Sequence, residues 1–325
     1  MELRQRTRRF GGRVILCALI LRLLAGGLPA KVASWLTGPK AVRLLILLET
    51  GRDVRFSASS PDAQLHTAES PGPMIEQTLP VFDREEKVAV SYSCDLRPDL
   101  EELVAQPLQW DLTGEAPAVL IFHTHTTESY TGEGYTESGE YRTLEEEYNM
   151  LSIGEEVAKV LEEHGICVIH DRTVHDYPNY NGAYNHARRT VLGLLEEYPT
   201  IRLVLDLHRD ALESGHRQLS TEALANGVAS AQLMLVMGTD AGGLEHGTWE
   251  ENLSLALKLQ LQLERRNPGI TRPISLRSQR FNQDLSPGAL LVEVGAAGNT
   301  REEALVAARE LALAIADLSR GTGTD

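Results

Sequence analysis

The sequence predicts an α/β fold, a mainly parallel twisted sheet with helices on both faces. Three observations support this prediction. After Ala116, short apolar runs of strand length recur along the chain. Longer segments with apolar residues at helical spacing lie between most of these runs. Strands that alternate with helices are typical of a parallel sheet that is covered on both faces.

The predicted elements follow one another in a regular order. In chain order they are the strand AVLIFH, the helix EEEYNMLSIGEEVAKVLEEHG, the strand ICVIHD, the helix GAYNHARRTVLGLLEEYP, the strands IRLVLDLH and AQLMLVMG, the helix GTWEENLSLALKLQLQLERRNPG, the strand ALLVEVG and the helix NTREEALVAARELALAIADLSRG. Gly165 is a good terminator for the first helix. Thr300 and Glu303 have the spacing of a capping box at the start of the last helix.

Residues 1–30 resemble a signal peptide or an N-terminal membrane anchor. A segment with four arginines precedes the apolar stretch GGRVILCALILRLLAGGLPA, which predicts export with the basic end in the cytoplasm. Arg22 interrupts the apolar stretch, which barely reaches the roughly 20 residues of a spanning helix. The alternative is a short amphipathic start to a soluble chain.

Residues 31–115 are predicted to be a juxtamembrane segment and a linker. Ser, Pro, Asp and Gln dominate after Arg52, as in a solvated linker, and VFDREEKVAVSYS could add an edge strand. Residues 116–325 are predicted to form the catalytic domain.

Composition excludes several classes of function. The net charge of −15 argues against a nucleic-acid partner, because phosphate binding needs clustered Lys and Arg. The three cysteines form no CxxC pair, so a zinc site built from thiolates is not expected.

Polar side chains collect at three predicted strand ends. The first strand ends in HTHTTE, the third in DLHRD and the last in LVEVG. Sites in open parallel sheets lie at the carboxyl ends of strands, so these segments are expected to converge. Imidazoles and carboxylates that converge there suit a zinc ion with an open coordination position. The sequence therefore predicts a zinc hydrolase.

The candidate residues of this site differ in their expected roles. His125 lies past the first strand and is favoured over His123, which is expected to be a core histidine, a substrate contact or a support for a ligand. His208 is the second candidate ligand, and Asp210 could orient a ligand or pair with Arg209. Glu293 lies in an apolar strand, where a lone glutamate is costly unless it is paired or functional, and a raised pKa would suit a general base.

Four motifs together resemble a known family. FHTHTTESY, YNGAYNHARRT, YPTIRLVLDLHRDAL and LLVEVGAAGNT are similar, in that order, to the motifs of stage II sporulation protein P. That family belongs with the zinc-dependent N-acetylmuramoyl-L-alanine amidases of type 3. The resemblance covers Ala116 to the end of the chain and implies a type 3 amidase-like fold.

The resemblance also implies roles for residues. By motif, His125 and His208 correspond to zinc ligands, and Glu293 corresponds to the catalytic glutamate. Asn299 corresponds to the asparagine that follows this glutamate, and with Arg209 it is a candidate for substrate binding. The third ligand stays open. Type 3 amidases take it from the start of the next helix, where Glu145, Glu146 and Glu147 are candidates with none clearly in register, and Glu128 competes for the role.

The implied activity is hydrolysis of peptidoglycan with Zn²⁺ as cofactor. The bond is the amide between N-acetylmuramic acid and the L-alanine of the stem peptide, with cleavage of stem-peptide cross-links as a second activity. The implied location is the septal or engulfing membrane of a spore-former, with the catalytic domain outside the cytoplasm. The implied partners are stage II sporulation proteins D and M.

Two other classes of function stay open at this point. The first is a wall-binding scaffold that has lost catalysis, although all candidate ligands and the candidate base are present. The second is a zinc amidohydrolase or carboxypeptidase with a soluble substrate, which the predicted export segment argues against.

Overall fold

The structure describes most of the chain after residue 74. The computed structural model describes residues 75–80, 87–108, 111–131, 141–214 and 217–320. The predicted anchor and most of the predicted linker lie outside these residues. Within the described part of the chain, none of the helices has the length and apolar character needed to span a bilayer.

The described residues contain twelve strands and five α-helices. The strands are β1 (Ile75–Pro80), β2 (Lys87–Tyr92), β3 (Val119–Phe122), β4 (Val168–His170), β5 (Leu203–Asp210), β6 (Glu213–Ser214), β7 (Arg217–Gln218), β8 (Ala223–Ala225), β9 (Val228–Ser230), β10 (Leu233–Met237), β11 (Ile274–Leu276) and β12 (Ala289–Ala296). The helices are α1 (Leu100–Ala105), α2 (Met150–Glu163), α3 (Ala183–Glu197), α4 (Trp249–Arg266) and α5 (Arg301–Ser319). Each strand and helix predicted after Ala116 is present.

Eight strands form one sheet in the order β1-β2-β11-β10-β12-β5-β3-β4. Strands β4, β3, β5 and β12 run parallel to one another, as predicted. Strand β10 runs antiparallel to β12. Its neighbour β11 and the next strand, β2, run parallel to β10. Among the described residues between β5 and β10, two short hairpins are present and a crossover helix, which a parallel return requires, is not. Strand β10 therefore starts near the end of β5.

Helices cover both faces of the sheet, which confirms the predicted class. One face carries the large core, in which Leu205 and Leu207 of β5 pack with α2, α4 and α5. The other face carries α3, whose Ala187 and Val191 pack on Val204 and its neighbours. Successive residues of a strand point to opposite faces, so β5 contributes apolar side chains to both layers.

Local signals at the helix ends behave as expected. Thr300 accepts a hydrogen bond from the backbone of Glu303, and the Glu303 side chain accepts one from the Thr300 backbone, which is the predicted capping box. Gly165 follows α2 in the left-handed region, at a φ of 77°, where a side chain would be strained.

Several elements before and between the predicted ones were not expected. Strand β1 and helix α1 lie in the segment that the composition marks as linker. The edge strand suggested at residues 81–93 is present as β2, but it is an inner strand because β1 pairs with its free side. Strands β6 to β9 and β11 have two or three residues each, too few to produce a periodic pattern.

Gly288 allows β12 to start against the segment that precedes β5. A Cβ at Gly288 would overlap the carbonyl oxygen of Arg202, and backbone atoms there cannot move aside easily. We expect Gly288→Ala to lower the free energy of unfolding by about 1–3 kcal/mol through overpacking. Urea unfolding measures the change.

Gly193→Ala is the matched control for this substitution. Gly193 is exposed within α3 and has open space around the position of a Cβ, so alanine should stabilise the helix by up to about 1 kcal/mol. Equal effects of the two substitutions would contradict the packing argument at Gly288.

Candidate active site

The candidate site lies where β3, β5 and β12 end, on the face of the sheet that carries α3. His208 and Glu293 are direct partners in the parallel register of β5 and β12. Asp206 lies two residues before His208 on the same strand, so both side chains point to the same face. The register therefore places the carboxyl groups of Asp206 and Glu293 on the same face as the imidazole of His208.

Threonines hold the turn that follows β3. Thr124 donates to the Asp206 carboxylate through its backbone N–H, at 2.8 Å, and through its hydroxyl, at 2.6 Å. The hydroxyl of Thr127 donates to Asp176 at 2.7 Å. Thr126 donates to the carbonyl oxygens of His123 and Thr173. In HTHTTE, the threonines hold the turn, and His125 and Glu128 face the site.

His125 is buried between aromatic rings. Its ring stacks on Tyr180 with centroids 4.2 Å apart, and it meets the His208 ring edge-on at 5.3 Å. Its Nδ1 is buried without a hydrogen-bond partner and lies 3.9 Å from an oxygen of Asp176. Burial lowers the pKa of His125 to about 3. The imidazole is therefore neutral, which is the form that binds a metal ion.

His208 stands between two buried carboxylates. Its Nε2 lies 2.9 Å from Oδ1 of Asp206 but off the line of a hydrogen bond, and its Nδ1 lies 3.5 Å from Oε2 of Glu128. Burial alone would lower the pKa of His208, but the attraction of Asp206 and Glu128 exceeds this effect and raises the pKa well above 6.5. The pocket therefore stabilises a positive charge at His208.

Glu128 is ionised although it is buried. Burial would raise its pKa, but the guanidinium of Arg209 and the ring of His208 outweigh burial and lower the pKa to about 2. The backbone N–H of Arg209 donates to Oε2 of Glu128 at 3.3 Å, and the guanidinium lies 3.7 Å from Oε1. This contact fixes one candidate ligand beside the other two.

Glu293 has the opposite protonation preference. Its Oε2 is buried and has no hydrogen-bond partner among the described residues, although part of the side chain reaches solvent. Burial, followed by the negative charge of Asp210, raises the pKa of Glu293 to about 8. A carboxyl group with this proton affinity can accept and return a proton near neutral pH, as a general base and acid must.

His125, Glu128 and His208 are the residues that could hold a metal ion. Two histidines and one glutamate are a ligand set of catalytic zinc sites. Both His125 and His208 have a buried nitrogen without an aligned hydrogen-bond partner, which fits the role of a metal ligand.

The three side chains would have to adjust to bind a metal ion. In the part of the chain that the structure describes, no group of three His, Cys, Asp or Glu side chains meets the geometry of a metal site as it stands. The reason is visible at His208, whose ring is drawn to its two carboxylates. A divalent ion would take over the positive charge that the proton on His208 supplies here.

His123 lies on the opposite face of the sheet from His125. Its Nδ1 lies 3.0 Å from the carbonyl oxygen of Leu207, and its Nε2 lies 2.9 Å from Nε2 of His170. A Cβ at Gly154 of α2 would overlap both rings, so this glycine makes room for the pair. The structure therefore does not bring His123 into the group formed by His125 and His208.

The other predicted site residues have partners within the protein or face solvent. Glu147 is exposed in the turn before α2. Asp210 pairs with Arg272 at 2.7 Å and not with Arg209. Asn299 is buried, and its amide makes hydrogen bonds to Thr221, Ala296 and Glu303. These bonds hold the segment after β12.

The guanidinium of Arg209 also makes its hydrogen bonds within the protein. Its Nε donates to the carbonyl oxygen of Ser129 at 3.1 Å, and Nη2 donates to that of Tyr141 at 3.0 Å. Together with its contact to Glu128, this indicates that Arg209 positions a candidate ligand.

Sequence reasoning assigned no role to four residues that line the site. Asp206 and Asp176 anchor the threonines of the turn, and Tyr180 and Tyr184 pack on the two histidines. The spacing of Asp206 and His208 along a strand was a usable signal for a shared face. Tyr180 lies in the short 3-10 turn before α3 and Tyr184 in the first turn of α3, and only the packing of these turns shows that both tyrosines face the site.

Arg209→Met tests the role of Arg209 as the counter-charge of Glu128. The substitution leaves a buried carboxylate without its cation, so we expect the free energy of unfolding to fall by about 3–5 kcal/mol. Chemical denaturation followed by circular dichroism measures the loss. Arg172→Met is the control because Arg172 pairs with Glu146 and Glu155 at the surface, where an ion pair contributes at most about 1 kcal/mol. Equal losses in both variants would refute this role.

Comparison with known proteins identifies a family. The family model of stage II sporulation protein P (SpoIIP) matches residues 58–316. Stage II sporulation protein P of Bacillus subtilis (strain 168) is 28% identical over 202 residues, which are 59% of this chain and 48% of the B. subtilis protein. The chain thus spans about half the length of this curated relative.

Solved amidase structures show a weaker likeness. N-acetylmuramoyl-L-alanine amidase AmiC2 of Nostoc punctiforme superimposes with a TM-score of 0.41 and 14% identity, covering 64% of this chain and 99% of that one. The amidase Ami1 from Mycobacterium smegmatis gives a TM-score of 0.39 and 13% identity, covering 65% and 99%. An amidase from Clostridium difficile 630 gives 0.37 and 14%, covering 65% and 100%. At these TM-scores the likenesses do not bear on activity.

Proposed function

The chain belongs to the stage II sporulation protein P family, and we propose that it is a zinc-dependent peptidoglycan hydrolase. The proposed bond is the amide between N-acetylmuramic acid and the L-alanine of the stem peptide. One observation carries the proposal: His125, Glu128 and His208 are buried together, and Glu293 lies beside His208 in the strand register. This set combines the ligands of a catalytic zinc ion with a carboxyl group of raised pKa.

Different residues of the chain would bind the metal ion, hold its ligands in place and transfer the proton during amide hydrolysis. His125, Glu128 and His208 would hold the ion, which supplies a Lewis acid that polarises the scissile carbonyl and acidifies a water molecule. Asp206 and Arg209 keep His208 and Glu128 in place. Glu293 takes a proton from the attacking water and gives it to the leaving amine.

The electrostatics of the pocket support this division. Asp206 and Glu128 provide two buried negative charges that favour a cation between them. Glu293 is the one of these three carboxyl groups whose pKa is raised, because burial and Asp210 act on it together. The two ionised carboxylates therefore suit cation binding, and the third suits proton transfer.

Glu293→Gln and His208→Ala separate proton transfer from metal binding. We expect the unchanged full chain, purified in detergent, to bind one equivalent of zinc and to release stem peptides with a free L-alanine amine from purified peptidoglycan. Glu293→Gln should retain zinc but lose about 10²–10⁴-fold in rate, because the proton acceptor is gone. His208→Ala should lose both zinc and activity. Elemental analysis and mass spectrometry of the products give the two readouts.

His164→Ala serves as the control for these variants. His164 caps α2 through a hydrogen bond to the carbonyl oxygen of Val160 and lies outside the site. The variant His164→Ala should therefore retain zinc and activity. Release of stem peptides that persists in a chelator, or in Glu293→Gln, would rule out the mechanism. Products cut within stem-peptide cross-links would add the second activity that the resemblance implies.

We also propose that the chain acts at the cell membrane, with the catalytic domain outside the cytoplasm. The basic flank and apolar stretch of residues 1–30 support a tether, and family membership supports the septal or engulfing membrane of a spore-former. Stage II sporulation proteins D and M are the proposed partners on the same ground.

Deletion of residues 1–30 tests the tether. The full chain, produced in a bacterial cell, is expected in the membrane fraction after a high-salt wash, because apolar insertion does not depend on salt. The chain that starts at residue 31 is expected in the soluble or secreted fraction. The same distribution for both chains would contradict a tether in this segment.

A further inference from the structure

Tyr184 stands among the side chains of the site, and the proposed mechanism does not use it. It is the second residue of α3. Its ring meets the His125 ring edge-on, with centroids 5.7 Å apart and planes at 87°. It lies nearly parallel to the His208 ring, with centroids 6.5 Å apart and planes at 18°. One phenol therefore borders both imidazoles that would hold the ion.

The position of Tyr184 is set by the fold. Its ring packs on an apolar cluster of Met234, Val236, Phe281 and Leu291. The side chain of Asn282 donates to the Tyr184 carbonyl oxygen at 2.8 Å and ties the start of α3 to the loop after β11. A donor held in this way costs little reorganisation during a reaction, which is the condition for stabilising developing charge.

Tyr184 also has the chemistry of a donor. A phenol O–H donates a hydrogen bond at neutral pH, whereas ionised carboxylates such as Asp206 and Glu128 can only accept hydrogen bonds. These carboxylates therefore cannot stabilise a negative oxygen on the substrate.

We propose that Tyr184 is a catalytic residue whose hydroxyl donates a hydrogen bond to the oxygen of the scissile carbonyl as that oxygen gains negative charge. This inference rests on the proposed amidase function. The water oxygen bonds to the carbonyl carbon while Glu293 takes the water proton, and the carbonyl π electrons move to the oxygen that Tyr184 contacts. The C–N bond then breaks, the amine leaves with the proton from Glu293, and a carboxylic acid remains. Tyr184 donates throughout and transfers no proton.

Tyr184→Phe removes only the hydroxyl and keeps the ring on both histidines. In the full chain loaded with zinc, we expect kcat for a muramoyl-peptide substrate to fall about 10²–10³-fold with KM little changed, since the bond strengthens only in the transition state. A phosphinate analogue of the tetrahedral state should bind weaker by a similar factor. Zinc content and thermal unfolding should match those of the unchanged chain.

Tyr198→Phe is the matched control at the other end of α3. It removes the same hydroxyl from the C-cap of the same helix and should change neither kcat nor binding of the phosphinate. Full activity and full phosphinate binding in Tyr184→Phe would overturn the inference while the amidase function stands. If the unchanged, zinc-loaded chain does not hydrolyse the substrate, both the inference and the amidase function are overturned. A loss in Tyr184→Phe that comes with lost zinc or lost stability would also overturn the inference, because the residue would then be structural.

Discussion

Two ionised carboxylates buried on either side of His208 are the constraint on which the rest of the candidate site depends. Asp206 and Glu128 are each at most 5% exposed, and burial by itself would favour their neutral forms. Both nevertheless have lowered pKa values, because His208 lies between them and Arg209 contacts Glu128. The site is thus organised around a cation, and the surrounding hydrogen bonds make that arrangement rigid.

The turn after β3 and the register of the strands place His125 and Glu293 next to this group of charges. The turn is tied to β5 by the two bonds from Thr124 to Asp206, so the position of His125 depends on a residue of another strand. The register of β5 and β12 places Glu293 beside His208 on the same face. Burial and then the negative charge of Asp210 give Glu293 a higher pKa than its neighbours Asp206 and Glu128. Neighbouring carboxyl groups can therefore take separate roles in one pocket.

His123 and His125 are two residues apart in sequence, but their side chains lie on opposite faces of the sheet. His125 packs with Tyr180 and His208 on the α3 side, whereas His123 packs with His170 on the α2 side. His123 therefore belongs to the interior beneath the site, where its Nδ1 lies near the carbonyl oxygen of Leu207. Residues that look equivalent in a short motif acquire distinct surroundings because β3 ends at Phe122 and a turn over residues 124–127 breaks the alternation of a strand.

The sequence by itself determined the α/β class, the longer strands and the helices after Ala116 and the strand ends that carry polar side chains. These features depend on hydrophobic periodicity and on local helix signals such as Gly165 and the capping box at Thr300, which are local properties of the chain. Only the tertiary structure decided the direction of β10, the inner position of β2 and the commitment of Arg209 to Glu128. It also decided that Asp206, Tyr180 and Tyr184 border the site. Strand pairing, the packing of α3 and the charge balance of buried groups join residues far apart in sequence, and no local pattern records which of them will meet.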